Sequence, residues 1–475
     1  MSTVTDRSLE FLFHPRSIAL VGITTANPEH WTRSFLDAIV EFEFNGPFYL
    51  VNPKGGKING HMVYPSIQDI PQPIDYVIGL VPARVSLELV EECAAKGVRA
   101  IHFCTAGFSE TGEEEGIELE TELIKLARKH GIRIIGPNCL GIYCPQSRLS
   151  FGPVFPRESG PVGVISQSGG NANYLIRQAA LRGVRFSKVI SYGNARDLDE
   201  SDFLEYLAAD ADTEIIAMYI EGIKDGKRFC RALEKATKQK PVILLKGGRT
   251  EAGTRAVAGH TSSLAGNEAI WDALRKQLGL IRVDSLDEMV DVLVTLLFMA
   301  RPKGRNAVIM GGGGGASVLI TDTFEKWGLR VPPLSHEITS QIREFTPPAG
   351  NILRNPVDYS QSMMYPEKVA RTIDIIMQWE GTDFLVWFMR LGQSQQASGL
   401  KDNPLMIGDP FSESGRASSK PLAIVLEPSI LPEESKGIFA LLQKYVSSGL
   451  PVYYSFESAA NAIDLVLSYY ENRSV

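Results

Sequence analysis

Short apolar runs alternate with amphipathic stretches from residue 17 onward. In the first third of the chain, β-branched runs predict strands at residues 17–21, 47–51, 76–81, 100–103 and 133–135. Each of these runs ends in a turn that contains Gly, Pro or Asn. Such alternation is typical of a parallel sheet covered by helices. Because ligands bind outside the carboxyl ends of the strands in doubly wound sheets, we expect the five turns to share one edge and one ligand.

The same alternation occurs twice more along the chain. Further strands are predicted at residues 161–165, 188–190, 214–220, 241–245, 307–310, 383–388 and 422–426. The pattern therefore predicts an α/β protein with three doubly wound domains, at residues 8–145, 155–300 and 303–475. A terminal helix is predicted near residues 458–471. Residues 392–419, which are rich in Ser, Gly and Pro, are predicted to form a long surface loop.

Composition and charge narrow the choice of partners. The 475 residues carry 48 Lys and Arg against 55 Asp and Glu, a net charge of −7 without basic blocks. This balance argues against a protein surface that binds nucleic acid and against a polybasic patch that binds membranes. It favours small molecules or proteins as partners. The amino-terminal segment lacks the features of a signal peptide, and the strongest apolar stretch, 292–300, is too short to cross a bilayer. With five sparse cysteines, we expect a cytoplasmic protein with reduced thiols.

Glycine-rich turns follow several of the predicted strands. The first turn, from Gly22, is not G-x-G-x-x-G, which disfavours a nicotinamide-dependent dehydrogenase. Residues 166–171 and 311–317 each lead from a strand toward a helix, the second helix being predicted at 318–326. Backbone N–H groups and the helix dipole at such a start suit a phosphate group. Neither turn has the G-K-[ST] ending of a P-loop, so direct nucleotide binding is not indicated.

One of the seven histidines differs from the other six in its sequence surroundings. His260 lies among small residues at 256–266, without the apolar spacing of a packed core position. We therefore predict an exposed loop histidine that is available for chemistry. Glu221 follows the strand predicted at 214–220, so its carboxylate is expected at a carboxyl edge, where it could orient a histidine. Without His260, an ordinary exposed glutamate would be as good an interpretation.

Together these segments closely resemble the NDP-forming acyl-CoA synthetase family, the superfamily of succinyl-CoA synthetase and ADP-forming acetyl-CoA synthetase. The resemblance covers nearly the whole chain. It rests on Phe13 to Ala19, Val51 to Lys54, Val81 to Ala83, Ala106 to Glu110, Gly136 to Gly141, Ser166 to Gly169, Gly193-Asn194, Glu221-Gly222, Gly259 to Thr261 and Asn355 to Asp358.

The resemblance implies the α-type subunit: a Rossmann-like CoA-binding domain followed by two flavodoxin-like CoA-ligase domains. It implies the reaction acid + ATP + CoA = acyl-CoA + ADP + phosphate, through acyl phosphate and phosphohistidine intermediates. The three predicted α/β domains take up nearly all of the sequence, so no segment is left for an ATP-grasp domain. Coenzyme A is therefore expected on this chain, and ATP/ADP with Mg²⁺ on a β-type ATP-grasp partner subunit.

The resemblance also implies the site residues. His260 would carry the phosphoryl group, and Glu221 would hold this histidine. The CoA-binding residues would be Gly22, Ile23, Thr24, Thr25, Asn52, Pro53, Lys54, Val81, Pro82, Ala83, Thr105, Ala106, Gly107 and Asn138. The phosphate-binding residues would be Ser168, Gly169, Gly170, Gly312, Gly313, Gly314 and Gly315. No metal ligand is expected on this chain. The alternative is a non-catalytic CoA-binding protein with a regulatory or scaffold role.

Overall fold

The computed structural model of the protein describes residues 9–261, 268–311, 313–359, 365–390, 420–427 and 432–473. Three separate sheets of mainly parallel strands, with helices between the strands, confirm the predicted α/β class. Within these residues, no helix is long and apolar enough to cross a membrane.

The first sheet contains all five strands predicted in the first third of the chain. Its elements are α1 (Glu10–Phe13), β1 (Ile18–Val21), α2 (Arg33–Glu41), β2 (Phe48–Val51), β3 (Gly56–Ile58), β4 (His61–Tyr64), β5 (Tyr76–Gly79), α3 (Ser86–Lys96), β6 (Ala100–Phe103), α4 (Glu114–Lys129) and β7 (Arg133–Ile135). The strand order is β3-β4-β2-β1-β5-β6-β7, and only the β3–β4 pair is antiparallel. Strands β1, β5 and β6 are buried at every position, as expected for a parallel sheet covered on both faces.

The second sheet is built in the same way. Its elements are β8 (Gly141–Tyr143), β9 (Ser159–Ser166), α5 (Gly169–Leu181), β10 (Phe186–Ser191), α6 (Glu200–Ala209), β11 (Ile215–Ile220), α7 (Gly226–Gln239), β12 (Val242–Lys246), α8 (Glu251–Thr261), α9 (Glu268–Leu278), β13 (Ile281–Val283) and α10 (Leu286–Phe298). The order is β13-β12-β11-β9-β10-β8, with β8 antiparallel to β10. Strand β8 lies inside the predicted first domain, yet it pairs with the second sheet.

The third sheet has the order β15-β16-β14-β17-β18-β19. Its elements are β14 (Ala307–Gly311), α11 (Gly314–Lys326), α12 (His336–Arg343), β15 (Ile352–Leu353), β16 (Val357–Asp358), α13 (Pro366–Gln378), β17 (Phe384–Arg390), β18 (Leu422–Glu427), α14 (Pro432–Ser447), β19 (Val452–Tyr453) and α15 (Phe456–Arg473). Helix α15 confirms the predicted terminal helix. The loop predicted at 392–419 lies outside the described residues.

The chain forms two compact units. One holds the first two sheets, and the other holds the third sheet together with helix α10 from Asp287 onward and the segment Leu181–Val184. Within the second unit, the buried guanidinium of Arg182 donates to Asp291 Oδ1 and to the carbonyl oxygen of Val452, each at 2.5 Å. Because a buried charge needs such partners, these bonds explain why the segment belongs to the second unit.

One buried histidine of the first unit makes its stability depend on pH. His102 in β6 is 1% exposed, and its Nε2 lies 3.1 Å from the carbonyl oxygen of Cys139. Its ring packs so closely on Gly141 that a side chain at 141 would overlap it. Burial lowers the pKa of His102 to about 4, because the charged imidazolium loses its hydration.

We expect this histidine to destabilise the first unit in acid. The folded state lowers the pKa of His102 from its unfolded value of about 6.5, so stability is complete above that value and is lost as pH falls toward 4. The difference corresponds to about 3 kcal/mol. Urea unfolding at pH 7 and pH 4.5 measures it, and His102→Gln, which cannot become charged, should lose less stability. An equal loss in both proteins would contradict the assignment.

Candidate functional site

The carboxyl edge of the first sheet is organised around Gly22, directly after β1. Strand β1 lies between β2 and β5, where the strand order reverses direction, the usual ligand position in doubly wound sheets. Gly22 has a φ of +96°, and a Cβ here would lie 2.8 Å from the carbonyl carbon of Leu80. Its N–H donates to the carbonyl oxygen of Val51 at 2.9 Å. Only glycine fits this conformation and this close approach.

Hydrogen bonds join the five turns of this edge in two groups. Asn52 Nδ2 donates to the carbonyl oxygen of Ile23 at 2.8 Å, which links the turns after β2 and β1. Thr105 Oγ1 donates to the carbonyl oxygen of Val81 at 2.5 Å. The carbonyl oxygen of Thr105 accepts the N–H of Asn138 at 2.9 Å. The turns after β1, β2, β5, β6 and β7 therefore lie at one edge, as the sequence predicts. Their ligand stays a prediction.

The remaining predicted CoA residues lie around these links. Asn52 Oδ1 accepts the N–H of Lys54 at 3.0 Å, so one side chain shapes the whole second turn. Pro53, Lys54, Pro82 and Ala106 are exposed, whereas Thr24, Thr25, Ala83 and Gly107 are half-buried. A Cβ on Gly107 would lie 3.3 Å from that of Ala83, so the third and fourth turns also approach each other.

Sequence reasoning missed Arg33, the first residue of α2. Its guanidinium is buried and donates to the carbonyl oxygen of Thr24 at 3.3 Å and to Asn59 Oδ1 at 3.4 Å. The N–H of Thr24 also donates to Thr32 Oγ1 at 3.4 Å. These contacts hold the loop after Gly22 in place. Nothing in the local pattern distinguishes Arg33 from an ordinary helical arginine.

The start of helix α5 forms the second predicted site. Ser168 Oγ accepts the N–H of Asn171 at 3.3 Å, which caps the first turn. A Cβ on Gly169 would lie 2.6 Å from Cγ of Leu140, whereas one on Gly170 would meet nothing closer than 3.9 Å. Gly169 is thus required by close packing, and it brings the helix start against the segment that leaves the first sheet.

Glu221 follows β11 directly, as predicted, and it is buried, which disfavours the alternative of an ordinary exposed glutamate. Only 4% of the residue is accessible, and its Oε1 accepts a hydrogen bond from the hydroxyl of Tyr219 at 3.1 Å. Its backbone N–H donates to Gln167 Oε1 at 2.8 Å, and its carbonyl oxygen accepts from Lys246 Nζ at 2.7 Å. The buried amide of Gln167 therefore ties Glu221 to the turn before α5. Sequence reasoning did not identify Gln167 or Lys246.

One cavity brings the two predicted sites together. It measures about 240 Å³ and is lined by Cys104, Asn138, Cys139, Leu140, Gln167, Ser168, Gly169, Gly170 and Gly193. Asn138 comes from the carboxyl edge of the first sheet, and Ser168 to Gly170 come from the start of α5. Burial raises the pKa of the Cys104 thiol to about 12, so the sulfur in this wall is uncharged at neutral pH. The cavity contains a glycine-rich helix start of the kind that suits a phosphate group.

The segment around His260 differs from its prediction. Helix α8 runs from Glu251 to Thr261, so position 260 belongs to its last turn and the predicted loop is wrong as far as residue 261. The small residues from 256 to 261 therefore belong to the helix and do not form a loop. Residues 262–267 and the side chain of His260 lie outside what the structure describes. Helix α8 packs against the 3₁₀ turn Ser109–Thr111, which follows the turn Ala106-Gly107.

The glycine run of the third sheet was predicted to precede a helix at 318, but α11 already begins at Gly314. Gly313 has a φ of +106°, and its N–H donates to Asp358 Oδ1 at 3.0 Å. Gly315 has open space around its Cα, and Gly312 lies outside the described residues. One of the predicted phosphate donors is therefore already bonded to a carboxylate of its own unit.

Comparison with known families matches both sheets of the first unit. Residues 16–145 match the CoA binding domain family, and residues 159–296 match the succinyl-CoA ligase like flavodoxin domain family. The first match spans the turns joined around Gly22. The second spans the start of α5, Glu221 and α8.

Named relatives extend the similarity to almost the whole chain. The α subunit of acetate–CoA ligase [ADP-forming] II from Pyrococcus furiosus is 38% identical over 378 residues, covering 80% of this chain and 81% of the relative. The α subunit of isoenzyme I from the same organism is 34% identical over 469 residues, covering 96% of each. A solved dinucleotide-forming acetyl-coenzyme A synthetase from Ca. Korarchaeum cryptofilum, in complex with phosphate and ADP, matches with a TM-score of 0.82 at 29% identity, covering 98% of each chain.

Proposed function

The chain belongs to the NDP-forming acyl-CoA synthetase family, and we propose that it works there as the α-type subunit that carries the CoA site and the phosphoryl-carrying histidine. The reaction is acid + ATP + CoA = acyl-CoA + ADP + phosphate. One observation carries the residue assignment: a single cavity is lined both by Asn138 of the CoA-binding sheet and by the helix start Ser168 to Gly170. Acyl transfer to CoA and phosphoryl transfer to a histidine need such adjacent sites.

Coenzyme A would bind at the turns joined around Gly22. The helix dipole at the start of α2 and the exposed cation of Lys54 would attract its diphosphate. The turns at Pro82-Ala83 and Ala106-Gly107 would direct the thiol toward the cavity. This placement is supported by the strand order, which puts all five turns at one edge, and by the hydrogen bonds between neighbouring turns.

The phosphoryl group would reach the acid through His260. In the direction of acyl-CoA synthesis, the carboxylate of the acid attacks phosphorus, a P–O bond forms and the P–N bond of phosphohistidine breaks. The thiolate of CoA then attacks the acyl carbon, and phosphate leaves. Backbone N–H groups at Ser168 to Gly170 would stabilise the transferring anion. Glu221 would accept a hydrogen bond from the unphosphorylated ring nitrogen and fix its tautomer.

A partner subunit would complete the enzyme. Two of the relatives are α subunits, which implies at least one other subunit in those proteins. We propose that the partner is a β-type ATP-grasp subunit that binds ATP/ADP and Mg²⁺, and that the assembly works in the cytoplasm. All five cysteines are free thiols, which agrees with that compartment.

Co-purification with a candidate ATP-grasp subunit tests this function. We expect ADP formation that requires CoA, an acid, this chain and the partner together, because no segment of this chain has a P-loop. Acetate is the first acid to test, since the relatives are named for it. Coupled ADP assays over a panel of carboxylic acids measure the activity. Robust acid-dependent ADP formation by this chain alone would overturn the subunit assignment.

A further inference from the structure

The motif Ala106 to Glu110 has a role that the proposed chemistry does not use. The carboxylate of Glu110 accepts three hydrogen bonds. Its Oε1 accepts the N–H groups of Gly107 and Phe108 at 2.5 and 3.1 Å, and its Oε2 accepts Asn194 Nδ2 at 2.6 Å. One oxygen therefore holds the turn after β6, and the other holds the loop after β10. Hydrogen bonds to an ionised carboxylate are stronger than neutral ones, so this link is firm.

Asn194 is itself fixed in position. It is 2% exposed, and its Nδ2 also donates to Glu120 Oε1 at 2.8 Å. Its backbone N–H donates to the carbonyl oxygen of Pro137 at 3.0 Å. The amide cannot rotate away without leaving buried polar groups unpaired, which is costly. Glu110 is therefore bonded to a rigid point of the second sheet.

Glu110 also lies at the centre of the 3₁₀ turn Ser109–Thr111, against which α8 packs. The same three-residue turn thus contacts the helix that includes position 260 and holds the predicted CoA turn at Gly107. The Glu110 carboxylate therefore links the Gly107 turn and the loop after β10 to the turn that supports α8.

We propose that Glu110 is a positioning residue that couples CoA binding at the Ala106-Gly107 turn to phosphorylation on α8. The inference rests on the proposed function. A ligand that orders the Gly107 turn changes the position of the 3₁₀ turn, and with it the support of α8. Because the carboxylate also holds the Gly107 turn in its folded position, weakening the link lowers CoA affinity as well.

Glu110→Gln tests the coupling, with Glu118→Gln as the matched control. Gln keeps the size of the side chain but loses the charge, and Glu118 is an exposed glutamate of α4. The measurement is the rate at which labelled acetyl phosphate phosphorylates His260, with and without desulfo-CoA, which binds but cannot accept an acyl group. We expect desulfo-CoA to change this rate at least about threefold in the wild type and in Glu118→Gln. In Glu110→Gln we expect no change, a basal rate within about twofold, and a CoA Kd raised about tenfold.

Other outcomes separate the two hypotheses. A wild-type chain that is never labelled on His260 would contradict the proposed function, whatever the variants do. Two results would overturn the role of Glu110. One is a wild type that is labelled at the same rate with and without desulfo-CoA. The other is a Glu110→Gln variant whose labelling rate changes with desulfo-CoA as much as that of the wild type. Circular dichroism monitors folding. If Glu110→Gln fails to fold, Glu110→Asp serves instead, since it keeps the charge but is too short to reach both partners, and the same loss of response is expected.

Discussion

His260→Ala should abolish phosphoryl labelling of the chain by acyl-CoA and phosphate while leaving CoA binding intact. An imidazole nitrogen is a competent nucleophile near neutral pH, and alanine offers none. The CoA turns are held together by bonds within the carboxyl edge of the first sheet, so the substitution on α8 leaves them in place. Labelled phosphate followed by mass spectrometry should show an acid-labile, base-stable adduct in the wild type only, and calorimetry should give an unchanged CoA affinity.

The exposed histidine at position 336, the first residue of α12, provides the matched control. His336→Ala should be labelled like the wild type. Label that persists in His260→Ala, or that appears on a serine, would show that His260 is not the carrier. The non-catalytic CoA-binding alternative would then be favoured, provided that CoA still binds.

The central strands could be predicted because they are buried on both faces. Residues 100–103 and 215–220, for example, are apolar runs whose burial in a parallel sheet leaves little room for another structure. The missed strands are only two to four residues long, too short for a periodic signal: β3, β4, β8, β13, β15, β16 and β19. The start of α11 was missed because glycine has low helix propensity, although Gly314 and Gly315 begin this helix.

The site, like the fold, could be predicted from the sequence only in part. The rule that ligands bind at the carboxyl edges of strands places Gly22 and Asn138 correctly at one edge, and it places Glu221 directly after a strand. The side chains that hold these turns together act across the fold: Gln167 reaches a residue 54 positions away, and Asn194 reaches one 84 positions away. Contacts of that range follow from tertiary packing, and local sequence patterns do not contain them.

Gly193→Ala should damage both the stability of the first unit and its CoA site. Gly193 follows β10 with a φ of +55°, where a side chain is strained. A Cβ there would overlap the carbonyl oxygens of Pro137 and Asn138, which are backbone atoms and cannot rotate away. We expect a loss of about 3 kcal/mol in the free energy of unfolding, from the strained backbone and the overpacking together.

Calorimetry with CoA and urea unfolding measure the two effects. Because Asn138 is a predicted CoA residue and lines the cavity beside Gly193, its displacement should weaken CoA binding at least about tenfold, or about 1.4 kcal/mol. Gly226→Ala is the control: it is the first residue of α7, and a Cβ there meets nothing within 4 Å. That variant should be as stable as the wild type or more stable by up to about 1 kcal/mol, with unchanged CoA affinity. If Gly193→Ala behaves like Gly226→Ala, the close approach between Gly193 and the Pro137-Asn138 turn does not set the geometry of the CoA site.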